Sequence, residues 1–134
     1  MRLKSFALLL GLGLLASVPV VAHHSFAAEF DGNKPFRLEG SLTKIEWTNP
    51  HSYFYLDVTD EKGNVVNWAC EGGGPGALSR RGFKRGDVKL GDKIIVDGYL
   101  AKDGSHIMDA RRIYLPDGRR IDTASTGDGG PAQQ

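Results

Sequence analysis

The four histidines are the residues of this chain whose types and positions most suggest chemistry. They are His23, His24, His51 and His106. Two follow a small-residue cleavage motif and two lie at predicted loops, so none falls in the middle of a predicted strand. Imidazole is the commonest metal ligand in proteins, and imidazole together with an amine favours Cu(II), with Zn(II) next. The distribution therefore predicts a transition-metal site, with copper as the expected ion.

Cleavage after Ala22 would make His23 the first residue of the mature chain, so that its amine and its imidazole could chelate one ion. A metal competes with the proton for the amine lone pair, and binding releases that proton. His51, which follows Pro50, is the predicted third nitrogen donor. His24, His106 and, for Cu(I), the thioether of Met108 are weaker candidates.

The alternative for the same residues is structural. Paired histidines can simply be a polar start to a mature chain, and His51 can cap a strand end by hydrogen bonding within the turn before it. The chain has no His-Glu-x-x-His and no Cys-x-x-Cys motif. The spacing of the histidines therefore matches no established metal-binding motif, and both interpretations stay open.

Residues 1–22 have the pattern of a secretory signal peptide. Arg2 and Lys4 precede an uncharged apolar run over 6–21, and the small residues Val20 and Ala22 fit cleavage before His23. The run is short for a membrane span. We expect export to the periplasm, with secretion from the cell as the alternative, and no membrane span once the signal is removed.

The mature chain would be short and nearly neutral. Removing 22 of 134 residues leaves 112, which is enough for one compact domain and excludes a two-domain enzyme. Without Arg2 and Lys4, 15 of the 17 Lys and Arg remain against 16 Asp and Glu, a net charge of −1. This balance gives no basic surface for nucleic acid.

Cys70 is the single cysteine, so no internal disulfide can form. Its spacing from Trp68 predicts a small buried side chain on a strand. The alternatives are a soft metal ligand or a disulfide between two chains.

The elements that must position these residues are mostly strands. Alternating apolar and polar residues predict five of them, at 35–47, 51–59, 65–71, 94–101 and 106–115. The apolar face of the first strand shifts by one residue between Leu42 and Ile45, which predicts a bulge. A helix of one or two turns fits 77–82, and the small polar residues of 121–134 predict a disordered tail.

This order predicts an all-β fold, a small five-stranded OB-like barrel with one short helix between strands 3 and 4. The alternative is a small sandwich. We expect the barrel to span 35–120, with Trp47 and Trp68 largely buried and the segment 23–34 lying across it. In this fold the loops 49–51 and 103–106 are expected to share one rim, which would bring His51 and His106 together.

Several motifs also resemble a known family. They are His23-His24-Ser25-Phe26-Ala27, Trp47-Thr48-Asn49-Pro50-His51, Asn67-Trp68-Ala69, Arg80-Arg81-Gly82 and the run Gly98-Tyr99-Leu100-Ala101-Lys102-Asp103-Gly104-Ser105. Over about residues 23 to 119 the chain resembles a family of small exported bacterial proteins, domain of unknown function 6152. The resemblance implies a single exported domain and transfers no activity. It also implies a bulky apolar residue where this chain has Cys70.

The expected function is therefore a small periplasmic binding protein, in particular a binder of copper or another transition metal. The alternative is a metal-free OB-like binding or accessory domain for a small molecule, a glycan or a partner protein, using the rim and Tyr53, Tyr55 and Tyr99. An enzyme is disfavoured, because no serine lies in a Gly-x-Ser-x-Gly elbow and no nucleophile–base pair is visible.

Overall fold

The computed structural model of the protein describes residues 25–131, so the predicted signal peptide and His23 and His24 lie outside the described residues. The elements are two short helices, six strands and one 3₁₀ turn at Arg85–Asp87. In chain order the helices and strands are α1 (Phe26–Glu29), β1 (Phe30–Glu46), β2 (His51–Thr59), β3 (Val65–Gly73), α2 (Pro75–Arg80), β4 (Lys93–Ala101), β5 (Ile107–Tyr114) and β6 (Arg120–Asp122).

Five of the strands form a ring of hydrogen-bonded neighbours. β1 pairs antiparallel with β2 and β4, β2 pairs with β3, and β4 pairs with β5. A parallel pairing of β3 with the start of β5 closes the ring. β6 pairs antiparallel with the end of β5. The prediction of an all-β, OB-like arrangement with a short helix between the third and fourth strands is confirmed.

β1 is long and bends, so that it pairs with β2 on one side and with β4 on the other. Its pairing with β2 changes register between Leu42 and Lys44, which confirms the predicted bulge. Near the bend the strands approach closely, and a Cβ at Gly40 would lie 2.6 Å from the backbone oxygen of Asp57. A glycine is therefore required where β1 and β2 approach.

The interior of the ring is filled by apolar side chains from every strand of the ring, with Leu78 and Phe83 from the connection after β3. Phe54, Leu56, Cys70 and Met108 are completely buried. The two tryptophans are partly buried and pack against this core. Trp47 packs at the edge of the core against Phe54 and Phe83.

The structure also corrects both ends of the predicted barrel. β1 begins at Phe30, ahead of the predicted start at Pro35. The predicted disordered tail is ordered as far as the structure describes it: Ile121 and Thr123 are buried, and Gly73 N–H donates to Thr123 O at 2.7 Å. The tail lacks large side chains but is held by backbone hydrogen bonds, which composition does not reveal. Within residues 25–131, no helix is long and apolar enough to cross a membrane.

Candidate functional site

His51 is the first residue of β2 and is held by groups from two other parts of the chain. Its Nδ1 lies 2.8 Å from Ser125 Oγ in the C-terminal tail and 3.4 Å from Glu71 Oε1 on β3. Thr48 Oγ1 donates a hydrogen bond to the His51 carbonyl at 2.7 Å, which fixes the backbone at the end of the turn. The side chain of His51 is 16% exposed. The contacts of Nδ1 therefore fix the orientation of the imidazole at the start of β2.

The opposite oxygen of Glu71 accepts a hydrogen bond from the Tyr53 hydroxyl at 3.0 Å. Burial, followed by the charge and hydrogen bond of Glu71, raises the pKa of Tyr53 above its ordinary value. Tyr53 therefore stays neutral at physiological pH and serves as a donor to the carboxylate that faces His51.

Asp109 on β5 stands next to Glu71 in the parallel pairing and is almost fully buried. Arg111 Nε lies 2.5 Å from Asp109 Oδ2 and Arg111 NH2 lies 3.1 Å from Asp128 Oδ2. Arg111 NH1 also donates a hydrogen bond to Asp128 Oδ1 at 3.5 Å. Burial raises the pKa of Asp109 to about 7. Arg111 lowers this pKa, but its effect is smaller than that of burial together with the charges of Asp128 and Glu71. We call His51, Glu71, Asp109, Arg111 and Asp128 the His51 cluster.

The start of the described chain lies beside this cluster. The Phe26 amide donates to the Asp128 carbonyl at 2.8 Å, and the Arg111 guanidinium lies 4.8 Å from the centre of the Phe26 ring. Glu29 of α1 is near enough to Tyr53 to contribute to its raised pKa. Residues 25–29 and the tail therefore meet over the outer face of the sheet.

His106 lies elsewhere. Its carbonyl accepts a hydrogen bond from the Ala69 amide, and its ring centre is 5.0 Å from that of Trp68. His51, by contrast, pairs with Gly73, which is four residues after Ala69 on β3. Four residues of a strand span roughly 13 Å. The two imidazoles also have different neighbours, Ser125 and Glu71 for His51 and Trp68 for His106, so the structure does not bring them together.

The two loops that were expected to share a rim therefore lie beside different parts of β3. β2 begins beside the end of β3, whereas β5 runs parallel to β3 and begins beside its middle. The prediction of a common rim is wrong, because the parallel pairing sets the start of β5 beside Ala69, four residues before the end of β3.

Both sulfur-containing side chains among residues 25–131 lie in the core. Cys70 and Met108 are partners in the β3–β5 pairing and both are completely buried. Burial raises the pKa of the Cys70 thiol to about 12. Cys70 is thus the small buried residue predicted from its spacing. Among residues 25–131, no group of three or more His, Cys, Asp and Glu side chains is arranged to hold a metal ion.

The three tyrosines expected to form one platform are also separated. Tyr53 and Tyr55 on β2 have ring centres 6.4 Å apart. Tyr99 lies on β4 opposite Pro35 of β1, and its ring contacts Phe26 edge-on at 5.4 Å. Around the other side of the ring, Glu71 of β3 and Asp109 of β5 stand between Tyr53 and Tyr99, so the tyrosines do not form one continuous platform.

Sequence reasoning did not identify the charged partners of His51. Glu71, Asp109 and Arg111 occupy outward positions of strands, where charged residues are normally solvated. The signal that could have found them is the pair Asp109 and Arg111 at alternate positions of a strand that also carries Met108, Ala110 and Ile113. The tail and the Phe26 ring lie over these positions.

Comparison with known proteins identifies the family. The model of DUF6152, described as a family of unknown function, matches residues 13–108, a segment that contains all four histidines. A search of curated proteins finds no match. Because the matched segment covers well over half of the chain, the protein belongs to the DUF6152 family of unknown function.

Proposed function

We propose that the protein is an exported periplasmic metal-binding protein that holds one Cu(II) ion between His51 and the mature N-terminus. His23 would supply its amine and its imidazole, with His24 as a further donor. The observation that carries the proposal is the orientation of His51. A carboxylate near Nδ1 favours the tautomer with the proton on that nitrogen, which leaves the lone pair of Nε2 available as a ligand.

The position of α1 supports the same ligand set. The tail residue Ser125 contacts His51, and Asp128, three residues later, binds the Phe26 amide. His24 comes two residues before Phe26, so the chain can place its Cα at most about 7 Å from that of Phe26. A chain anchored at Phe26 would therefore allow His24 to approach the part of the tail that contacts His51.

The charge of the site also favours a cation. The His51 cluster contains three carboxylates, those of Glu71, Asp109 and Asp128, and one guanidinium, that of Arg111. The acidic groups of the cluster therefore outnumber its guanidinium. Such an excess of acidic groups at the edge of a low-dielectric interior favours a divalent cation and the protonated N-terminus alike.

A titration of two histidine variants tests this function. In the processed chain starting at His23, His51→Ala should weaken Cu(II) binding at least about tenfold, or about 1.4 kcal/mol, because one nitrogen donor is lost. His106→Ala is the matched control and should bind Cu(II) like the wild type, since His106 lies beside the middle of β3 with its ring against Trp68. Equal affinities of wild type and His51→Ala would contradict the proposed site.

The metal-free alternative, a domain that binds a small organic molecule, also has an observation in its favour. A cavity of about 340 Å³ lies on the outer face of the sheet beside Tyr99. Copper analysis of the protein purified from the periplasm separates the two functions. If the protein contains less than roughly a tenth of an equivalent of bound metal and takes up none on titration, the metal-free function is favoured.

A further inference from the structure

We propose that residues 80–93, which run from the end of α2 to the start of β4, form a surface that docks on a membrane with anionic phospholipid headgroups. We call this segment the basic connection. It holds six basic and two acidic side chains, a formal net charge of +4. The other described residues hold nine basic and fourteen acidic side chains, a formal net charge of −5. Positive charge is therefore concentrated on one part of a chain that is acidic elsewhere. The six basic residues are Arg80, Arg81, Lys84, Arg85, Lys89 and Lys93.

The basic side chains of this segment are exposed and are not neutralised by carboxylates. All six residues are exposed, and none forms an ion pair with a carboxylate of residues 25–131. The two acidic residues of the segment already have partners. Asp87 pairs with Arg119 at 3.1 Å and accepts a hydrogen bond from the Lys84 amide, and Asp92 accepts one from the Lys89 amide. The positive charges therefore remain available to an external anionic surface.

The backbone that carries these charges is held in place. Phe83 and Val88 are 1% and 5% exposed, so their side chains anchor the segment in the core. Near its end, the Gly91 amide donates to the Leu42 carbonyl at 2.7 Å, and the Asp92 carbonyl accepts from the Leu42 amide at 2.9 Å. The basic connection is therefore a preformed surface beside β1, and docking orders little additional backbone.

Apolar side chains among the basic groups favour a lipid surface over an acidic protein. Leu90 lies between Lys89 and Lys93 in the sequence and is 68% exposed, the highest value among the exposed large apolar residues of 25–131. The Arg85 guanidinium lies 5.5 Å from the centre of the partly buried Trp47 ring. Leucine and tryptophan beside basic residues are typical of the interface between headgroups and acyl chains. An acidic protein surface would match the charges alone.

The charge of the segment sets the expected behaviour. One Lys or Arg close to an anionic bilayer contributes about a fivefold increase in affinity. Dissolved salt screens this attraction, so binding should weaken as the salt concentration rises. The docking surface does not include the proposed copper ligand His51, and His51→Ala should therefore bind vesicles like the wild type.

Flotation of the processed chain with lipid vesicles tests the inference. Vesicles of phosphatidylglycerol and phosphatidylcholine in equal amounts should bind the protein at least about tenfold more tightly than vesicles of phosphatidylcholine alone. The double variant Lys89→Gln and Lys93→Gln should weaken binding to the anionic vesicles at least about tenfold, because two charges are lost. Lys34→Gln with Lys62→Gln is the matched control, since it removes two exposed charges outside the basic connection, and it should bind like the wild type.

A second comparison distinguishes lipid from an acidic polypeptide. Leu90→Ser should weaken binding to the anionic vesicles at least about threefold, because this side chain leaves water only at a lipid interface. Polyglutamate at the same concentration of anionic groups should displace little of the protein from the vesicles.

Each contrary outcome overturns the proposal. Equal binding to the two kinds of vesicle would remove the preference for anionic headgroups, and equal binding by the two double variants would remove the basic connection as the docking surface. Displacement by polyglutamate, or wild-type binding by Leu90→Ser, would indicate an acidic polypeptide as the partner instead. The vesicle and polyglutamate comparisons use the wild-type chain, so they hold whether or not the variants fold.

Discussion

His51 illustrates what the sequence can and cannot indicate about a single residue. Its place after a turn that contains Pro50 predicts a side chain at the end of a strand, and β2 does begin at this residue. Its partners Glu71 and Ser125 come from β3 and from the C-terminal tail. No local pattern joins such distant positions, so the orientation of the imidazole could not be predicted from the sequence.

The buried Asp109 predicts a specific dependence of stability on pH. Its pKa of about 7 in the folded protein lies above the ordinary 3.8, so between these values the folded state binds more protons than the unfolded state. The contribution of this group is therefore present at low pH and is lost as pH rises through about 7. Urea unfolding should show a free energy of unfolding that falls over this range, by at most about 4 kcal/mol from Asp109.

Asp109→Asn is the variant that isolates this contribution. It keeps the size of the side chain but cannot ionise, so the fall in stability towards pH 8 should become smaller. Glu71, Arg111 and Asp128 remain in both proteins, and the difference between the two pH profiles therefore belongs to Asp109. Parallel pH profiles for the two proteins would show that Asp109 is ionised throughout.

Among the elements, the strands were the most predictable because alternation of apolar and polar residues depends only on neighbouring positions. The bulge at Leu42 and the short helix before β4 follow from equally local signals, a change of phase and a cluster of glycines with a proline. The burial of the tail was not predictable. It depends on backbone hydrogen bonds with residues such as Gly73 and Arg111, which are remote in sequence.

Gly98 on β4 is the position where the packing of two strands tolerates no side chain. A Cβ there would lie 1.8 Å from the Asp109 backbone oxygen, at the register shift between β4 and β5. Gly98→Ala should therefore lower the free energy of unfolding by at least about 3 kcal/mol, because backbone must move to admit the methyl group.

Gly86 supplies the matched control for this change. A Cβ at Gly86 meets nothing within 4 Å, so Gly86→Ala should change the stability by less than about 0.5 kcal/mol. Urea unfolding of the two variants at one pH measures the difference. Similar stabilities for Gly98→Ala and Gly86→Ala would show that β4 and β5 do not approach as described.

For the molecule as a whole, the order of strands and the short helix were sufficient to predict the OB-like arrangement. The relation between its loops was not, since it depends on the parallel pairing of β3 with β5, and this placed His106 away from His51. The ring also brings the two ends of the described chain together, with Phe26 bound to Asp128. This meeting of the ends is what makes a site between His51 and the mature N-terminus physically reasonable.

The most direct test of that site is to move the terminal amine without removing any histidine. A cytosolic form that begins Met-His-His keeps every side chain, but an amide replaces the amine of His23 and must lose its proton before it can bind a metal. Cu(II) titrations of this form, with the added Met confirmed by intact mass, should show binding at least about tenfold weaker than that of the processed chain, or about 1.4 kcal/mol. Equal Cu(II) affinity of the two forms would contradict the terminal chelate.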